Sequence, residues 1–238
     1  MKTRLAFQLD EDEEDYRAAA SHIGAVEVVG PDEHPDALVA SAGPVAGLPT
    51  LLVGAIPSAG SGNEFAALPW RFCPQVRAIR ASLDAGQLGR PGLLRLHRWS
   101  PPGGDPGKVA AVDLALWLIG EQPDATHRTR SVKNDVIHLG FPSGAMALLD
   151  FTDTLPAGDG YHSLCLVGSN GAAYADDHRD RNLFFTGGAP GATPPAFSQA
   201  CLRPMLEDFV AAVREKRSPE HTTRDLLRAR QLVEEAMA

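Results

Sequence analysis

The stretch LPWRFCPQVRAIRASLDAGQLGRPGLLRLHRWSPPGGDPGKVAAVDLALWLIGEQP, residues 68–123, decides the fold of this chain. Within it, four apolar residues recur at the spacing of one helix face, i, i+4, i+7 and i+11: Phe72, Val76, Ile79 and Leu83. This spacing predicts a helix over residues 72–83. Gly86 and Gly89 follow, and because glycine readily adopts the left-handed conformation, they end the helix.

The second half of the stretch predicts a strand and a buried helix. A strand is expected over residues 93–99, in which Arg95, His97 and Arg98 lie between the apolar residues Leu93, Leu94, Leu96 and Trp99. Residues 109–119 are apolar on nearly every side, so the helix that they form should be buried. The order of the stretch is therefore helix, turn, strand, loop and helix.

The segments RFCPQVRAIRASLDAGQLGRPGLLRLHRW and VDLALWLIGEQP resemble the start of the second domain of the glucose–fructose oxidoreductase and inositol dehydrogenase family (Gfo/Idh/MocA). The resemblance runs from residue 68 to the C-terminus. It implies a C-terminal α/β domain with a large, mostly antiparallel sheet. Most enzymes of that family bind NAD or NADP in an N-terminal Rossmann domain and oxidise or reduce a sugar-like hydroxyl group.

The first part of the chain predicts a small parallel sheet. Strands are expected at residues 2–9, 25–29, 36–41 and 50–53, with one helix that follows DEDEED (Asp10–Asp15) and runs to Gly24. A full dinucleotide domain has two βαβαβ halves, so at least one crossover unit is missing. The predicted fold class is α/β plus α+β, with a shortened Rossmann-like domain over residues 1–67 and the C-terminal domain over residues 68–238.

Composition limits the classes of function. The chain has 238 residues, 44% of them hydrophobic, and a formal charge of −8. The negative charge argues against a nucleic acid or an anionic membrane as partner, and no apolar run is long enough to span a bilayer. The three cysteines have no metal-ligand spacing and are expected to be reduced thiols, Cys73, Cys165 and Cys201. We therefore expect a cytoplasmic protein.

The loop after the first strand argues against a cofactor. A dinucleotide site needs G-x-G-x-x-G there, so that the backbone can approach the diphosphate at the helix N-terminus. This chain has no glycine before Gly24 and places six carboxylates, Asp10–Asp15, in that position. Carboxylates cap a helix well but repel a diphosphate. The sequence predicts that no cofactor binds here.

The resemblance also implies that the proton-transfer residues of the family are absent. Ala55 or Ile56 stands where the family has the lysine of its EKP motif. On the buried helix, Ala110 occupies the position of the histidine and Pro106 that of the aspartate, with Asp105 one residue out of register. Proton transfer by a positioned group commonly contributes about 10²–10⁴-fold in rate, so no catalytic residue is predicted.

Several polar residues can still line a sugar-like ligand pocket: Arg98, Asp113, His162, Asp177 and His178. Arg98 and His162 lie in the segments that most resemble the family. Adjacent strand residues point to opposite faces, so the DDHRD run at residues 176–180 is a poor metal site, and no metal is predicted.

Three functions remain open at this point. The first is a non-catalytic relative that acts by oligomerisation, or as partner of a full-length family member, through its C-terminal sheet. The alternative is an NAD(P)-dependent oxidoreductase of a sugar- or inositol-like substrate with an altered or shared cofactor site. The third is a sugar-binding module. Whether the chain is an enzyme is therefore left open, with the absent motifs favouring a non-catalytic protein.

Overall fold

The computed structural model describes residues 2–43, 47–58, 60–100, 102, 107–154, 161–176, 181–185, 191–193 and 199–237. The chain forms two compact units, residues 1–73 with 196–227 and residues 74–195 with 228–238. The predicted domains, 1–67 and 68–238, stay a prediction, and the chain returns to the first unit near residue 196. No helix among the described residues is long and apolar enough to cross a membrane.

The first unit is built on a parallel sheet of five strands in the order β2-β1-β3-β4-β5. Its elements are β1 (Thr3–Gln8), α1 (Glu13–Ser21), β2 (Val26–Val28), β3 (Ala37–Ala40), β4 (Thr50–Leu52), β5 (Glu64–Ala66), α2 (Pro69–Phe72) and α5 (Gln199–Glu215). One face of the sheet packs against α1 and α5, where Leu5 and Phe7 share a core with Leu206 and Phe209. The helix α6 (Glu220–Met237) has residues in both compact units.

The second unit is built on a sheet of eight strands in the order β13-β12-β11-β10-β6-β9-β8-β7. Its elements are α3 (Pro74–Asp84), β6 (Pro91–Trp99), α4 (Lys108–Ile119), β7 (Ala125–Arg130), β8 (Asp135–Gly140), β9 (Met146–Thr152), β10 (Tyr161–Gly168), β11 (Ala172–Asp176), β12 (Arg181–Phe185) and β13 (Gly191–Thr193). Neighbouring strands are antiparallel except for β6 and β9, which run parallel. The predicted fold class is thereby confirmed.

The helix α4 covers one face of this second sheet. Its residues are buried almost throughout, as the apolar sequence predicts, and it packs against β6 and β9. Leu94 and Leu96 point to this covered face and are 0% and 4% exposed. Because side chains alternate along a strand, Arg95, His97 and Trp99 point to the opposite face. We call that opposite face the open face.

Two short strands were missed by the sequence analysis. The sequence predicts no strand between residues 53 and 93, but Glu64–Ala66 adds β5 to the first sheet, parallel to β4. Gly191–Thr193 forms β13 at the end of the second sheet, in a segment where no strand was predicted. A strand of three residues is too short to show a period, so neither could be recognised.

The expectation of three reduced thiols is wrong. Cys73 and Cys201 form a disulfide, with their Cα atoms 4.4 Å apart and a sequence separation of 128 residues. Cys165 is the free cysteine. Spacing in sequence cannot reveal such a pair, because the two cysteines come together only when α5 packs against α2 within the first unit.

Candidate functional site

The loop between β1 and α1 lies where a dinucleotide diphosphate binds in a Rossmann domain. Here two of its backbone N–H groups already have partners. The N–H of Leu9 donates to Glu13 Oε2 at 3.0 Å, and the N–H of Asp10 donates to Ser41 Oγ at 3.0 Å. Arg17 Nε donates to the other oxygen of Glu13 at 2.7 Å. The Glu13 carboxylate thus sits where an anion would be held.

Glu13 remains charged over a wide pH range. The hydrogen bond from the Leu9 backbone, and then the bond from Arg17, lower its pKa below the usual value. Asp12, which precedes α1, adopts the left-handed conformation with φ of 60° although it is not a glycine. The Glu13 carboxylate therefore remains an anion that occupies a backbone N–H donor of this loop.

A dinucleotide does not fit this loop in the usual way. The N–H donors that would face the diphosphate are taken by Glu13 and Ser41, and the remaining carboxylates of the 10–15 run would repel it. After β4, where the family resemblance implies a lysine, the chain has Ala55 and Ile56, which carry no titratable group.

Glu33, in the loop after β2, was not identified as a candidate site residue from the sequence. Glu33 follows β2, and its Oε2 accepts a hydrogen bond from the Gly30 N–H at 2.7 Å. In dinucleotide domains, an acidic residue about 20 positions after the first loop binds the ribose hydroxyls. That spacing was present in the sequence and could have drawn attention to Glu33.

In the second unit the structure brings two predicted pocket residues together. Arg98 on β6 and His162 on β10 are directly opposite each other in the antiparallel ladder. Arg98 is on the covered face, where Gly107 begins α4 with φ of 63°. A Cβ atom on Gly107 would lie 3.0 Å from Arg98 Nη2, so the glycine leaves room for the guanidinium.

The electrostatics of this pair favour a neutral imidazole beside a permanent cation. Burial and then the Arg98 charge lower the pKa of His162 to about 4. At neutral pH, His162 is therefore uncharged and can donate one hydrogen bond and accept another. A guanidinium next to such an imidazole suits a polyhydroxy or carboxylate ligand.

The other predicted site residues are placed differently. Asp113 is inside α4 and is 1% exposed. Asp177 and His178 lie outside the described residues, as do Asp105 and Pro106. Ala110, at the position of the family histidine, is in the first turn of α4. Whether Asp113 contributes to a pocket stays a prediction.

The start of α4 is tied to the sheet by an ion cluster. Lys108 Nζ lies 2.5 Å from Asp135 Oδ2, and Arg128 donates to both oxygens of Asp135 at 2.6 and 2.8 Å. These bonds, with that from Arg128 the strongest, lower the pKa of Asp135 to about 2. The cluster fixes the helix end that carries Gly107 beside Arg98.

The open face carries polar contacts and exposed apolar side chains. His97 Nδ1 is 2.9 Å from Asp150 Oδ2, and Trp99 Nε1 donates to the same oxygen at 3.3 Å. Val167 and Tyr174 are 37% and 42% exposed on this face. Among the described residues, no group of three or more His, Cys, Asp or Glu side chains is placed to hold a metal.

Comparisons with known proteins give structural matches alone. No family model matches the sequence, and no curated protein matches it. A putative myo-inositol dehydrogenase from Sinorhizobium meliloti 1021 has a TM-score of 0.78 and 16% identity, over 99% of this chain and 96% of that one. The myo-inositol 2-dehydrogenase from Lactobacillus plantarum has a TM-score of 0.76 and 17% identity, over 100% and 96%.

A third structure contains a cofactor. It is an oxidoreductase from Agrobacterium radiobacter in complex with NAD+, L-tartaric acid and magnesium. Its TM-score is 0.74 and its identity 13%, over 98% of this chain and 95% of the other. At these identities the likeness establishes the shared fold.

Proposed function

We propose that this chain takes part in the NAD(P)-dependent oxidation or reduction of a sugar- or inositol-like substrate. It has the two-domain fold of the Gfo/Idh/MocA dehydrogenases. In this proposal it is a subunit that does not hold the dinucleotide in its own β1–α1 loop. The proposal combines two of the functions that the sequence leaves open. One is an oxidoreductase with a shared cofactor site, and the other is a partner subunit of a full-length family member. The structural relatives are named as dehydrogenases and oxidoreductases, which supports this class more than a purely non-catalytic protein.

One observation carries the cofactor part of the proposal. The Glu13 carboxylate accepts the Leu9 N–H that would otherwise be available to a diphosphate, and the pKa of Glu13 is lowered, so its charge persists. To enter, a diphosphate would have to displace this carboxylate and break its bond with Arg17. A dinucleotide is therefore expected from a different subunit.

The substrate part of the proposal relies on Arg98 and His162. A half-buried guanidinium and a neutral imidazole, paired across two strands, can bind vicinal hydroxyl groups without a charge on the ligand. The ion cluster around Asp135 holds the start of α4 next to this pair. The fixed geometry favours specific recognition over loose surface binding.

The partner part of the proposal relies on the open face. Val167 and Tyr174 are two of the large apolar side chains that are exposed on the described surface, and they lie near each other on neighbouring strands. An exposed apolar patch with a polar surround is typical of a protein interface. The occupant can be a second copy of this chain or a full-length relative, and only the relative can bring the dinucleotide that the cofactor part of the proposal requires.

Thermal melting with NAD, NADH, NADP and NADPH at millimolar concentration tests the cofactor part. A ligand at about 100 times its dissociation constant stabilises a protein by about 2.7 kcal/mol, which such a scan detects readily. We expect no shift for the isolated chain. A clear shift with any of the four nucleotides would refute the proposal that a different subunit holds the cofactor.

Light scattering of size-exclusion fractions tests the open face. We expect the wild-type chain to be oligomeric and Tyr174→Asp to dissociate it. Val132→Asp is the matched control, because Val132 is an apolar residue that is 100% exposed in the turn after β7. Equal dissociation by both variants, or a wild-type monomer at micromolar concentration, would count against association through this face.

Calorimetry with inositols and aldoses tests the substrate part. Binding should be lost in Arg98→Gln and retained in Arg95→Gln, whose side chain is on the opposite face of the same strand. Flat traces for the wild type with every polyol would remove the pocket from the proposal.

A second candidate is a self-contained oxidoreductase with an altered nucleotide site, and Glu33 favours it. Its carboxylate follows β2, in the position that contacts ribose in dinucleotide domains. This candidate predicts a thermal shift with a nucleotide that Glu33→Gln diminishes and Asp32→Asn does not.

A further inference from the structure

The disulfide joins the two sequence segments that build the first unit. Cys73 is the last residue of the segment 1–73, and Cys201 belongs to the returning segment 196–227. Residues 74–195, which form most of the second unit, lie within the covalent loop that the bond closes. The bond therefore connects the place where the chain leaves the first unit to the place where it returns.

The returning segment is also held without the bond. On α5, Leu206 and Phe209 are 0% and 3% exposed and belong to the same core as Leu5 and Phe7 of β1. Opening the disulfide would leave this packing in place but release a long loop, whose closure limits the freedom of the unfolded chain.

A cavity gives access to the bond. It has a volume of about 250 Å³ and is lined by Cys73 and Cys201 together with Asp12, Asp15, Tyr16, Pro69, Trp70 and Leu202. The two cysteines are otherwise buried, at 2% and 3% exposed. Asp12 and Asp15 are exposed at this cavity and place two carboxylates beside the path of an incoming reductant.

We propose that the Cys73–Cys201 bond is a reversible redox clamp that an uncharged dithiol opens through this cavity. One thiolate of the dithiol attacks a cysteine sulfur and forms a mixed disulfide, while the other cysteine leaves as a thiolate and takes up a proton. The second thiolate of the reductant then attacks the mixed disulfide and releases the remaining cysteine. The protein gains two electrons and two protons, and the dithiol becomes a disulfide.

The acidic residues give the clamp a preference among reductants. Two like charges about 4 Å apart repel by about 1 kcal/mol in water, which is about fivefold in rate. An anionic thiol such as glutathione should therefore react slowly, and dithiothreitol, which is neutral as a dithiol, should react faster. Salt should narrow the difference by screening the carboxylates.

Counting thiols by mass spectrometry tests whether the clamp exists and opens in the folded state. Folded protein is exposed to reductant, quenched in acid, unfolded and alkylated. We expect one alkylated cysteine, Cys165, before reduction and all three after dithiothreitol. Three free thiols in protein kept under air, or a bond that dithiothreitol opens only in denaturant, would overturn the proposal.

Variants test the route. Asp12→Asn together with Asp15→Asn should raise the rate of reduction by glutathione, whose attacking thiolate form has a net charge of about −2, at least about fivefold, and should raise the rate by dithiothreitol, which attacks as a monoanion, by a smaller factor. Asp32→Asn together with Glu33→Gln is the matched control, because it removes two negative charges from a loop that does not line the cavity. Equal rates for all variants would overturn the route through the cavity.

Hydrogen exchange tests the consequence for α5. Reduction of the wild type should lower the protection of α5 amides at least about tenfold, while protection in β9 should change little. In the variant with both Cys73→Ser and Cys201→Ser, the exchange of α5 amides should equal that of the reduced wild type and should not change when reductant is added. Unchanged exchange of α5 in reduced wild type would overturn the clamp, and this measurement needs no variant to fold.

Discussion

Replacement of Asp135 by asparagine is the sharpest test of how the second unit holds its candidate pocket. Asp135 forms ion pairs with Lys108 at the start of α4 and with Arg128 on the neighbouring strand, and its side chain is 12% exposed. Its pKa falls from 3.8 to about 2. Since one pKa unit corresponds to about 1.4 kcal/mol, the ion cluster contributes about 2 kcal/mol to the free energy of unfolding.

The sign of the pH dependence follows from the direction of this shift. The carboxyl has a lower pKa in the folded state than in the unfolded state, so its contribution is complete above about pH 4 and is lost as the pH falls toward about 2. Asp135→Asn should therefore cost about 2 kcal/mol at neutral pH and progressively less in acid. Urea titration across this pH range measures both effects.

Asp124→Asn provides the control for this experiment, since Asp124 is exposed at the beginning of the same strand pair. It should change stability by less than about 0.5 kcal/mol at any pH. If Asp135→Asn costs no more than the control, or the same amount at neutral and acid pH, the ion cluster does not stabilise the sheet in the way described.

Two further perturbations follow from the geometry. Gly168→Ala should lower the melting temperature by several degrees, because a Cβ atom there would overlap the carbonyl oxygen of Leu88, whereas Gly24→Ala, with no atom within 4 Å, should be well tolerated. NMR titration of His162 should give a pKa of about 4, and because this value lies below that of an unfolded histidine, stability should decrease as the pH falls from about 6.5 to about 4. Arg98→Gln should bring that pKa closer to its ordinary value, and an unchanged titration would contradict the coupling between the two side chains.

The helices and long strands could be predicted because their burial is periodic. Val76 and Ile79 are buried on one face of α3, and α4 is buried on nearly all sides, as the sequence indicates. Asn170 and Gly171, a dipeptide that is typical of hairpin turns, lie between β10 and β11. The helix α5 shows the same periodic burial, with Leu202, Met205, Leu206 and Phe209 buried on one face.

The candidate site was only partly predictable. The carboxylates before α1 were expected to cap the helix, but that Glu13 accepts the Leu9 N–H depends on a side-chain rotamer that no pattern encodes. The proximity of Arg98 and His162 depends on the register between β6 and β10, which lie more than 60 residues apart. The disulfide was missed for the same reason, since pairing across 128 residues is a tertiary event.

The parallel pairing of β6 with β9 has a consequence for synthesis on the ribosome. The strand β6 ends at Trp99, and its two neighbours begin only at Met146 and Tyr161. At translation rates of about 5–20 residues per second, β6 emerges roughly 2 to 9 s before β9, and both of its edges are unpaired during that time. Nascent chains of this protein should therefore depend on chaperones during that interval, and codon changes that lengthen it should increase aggregation.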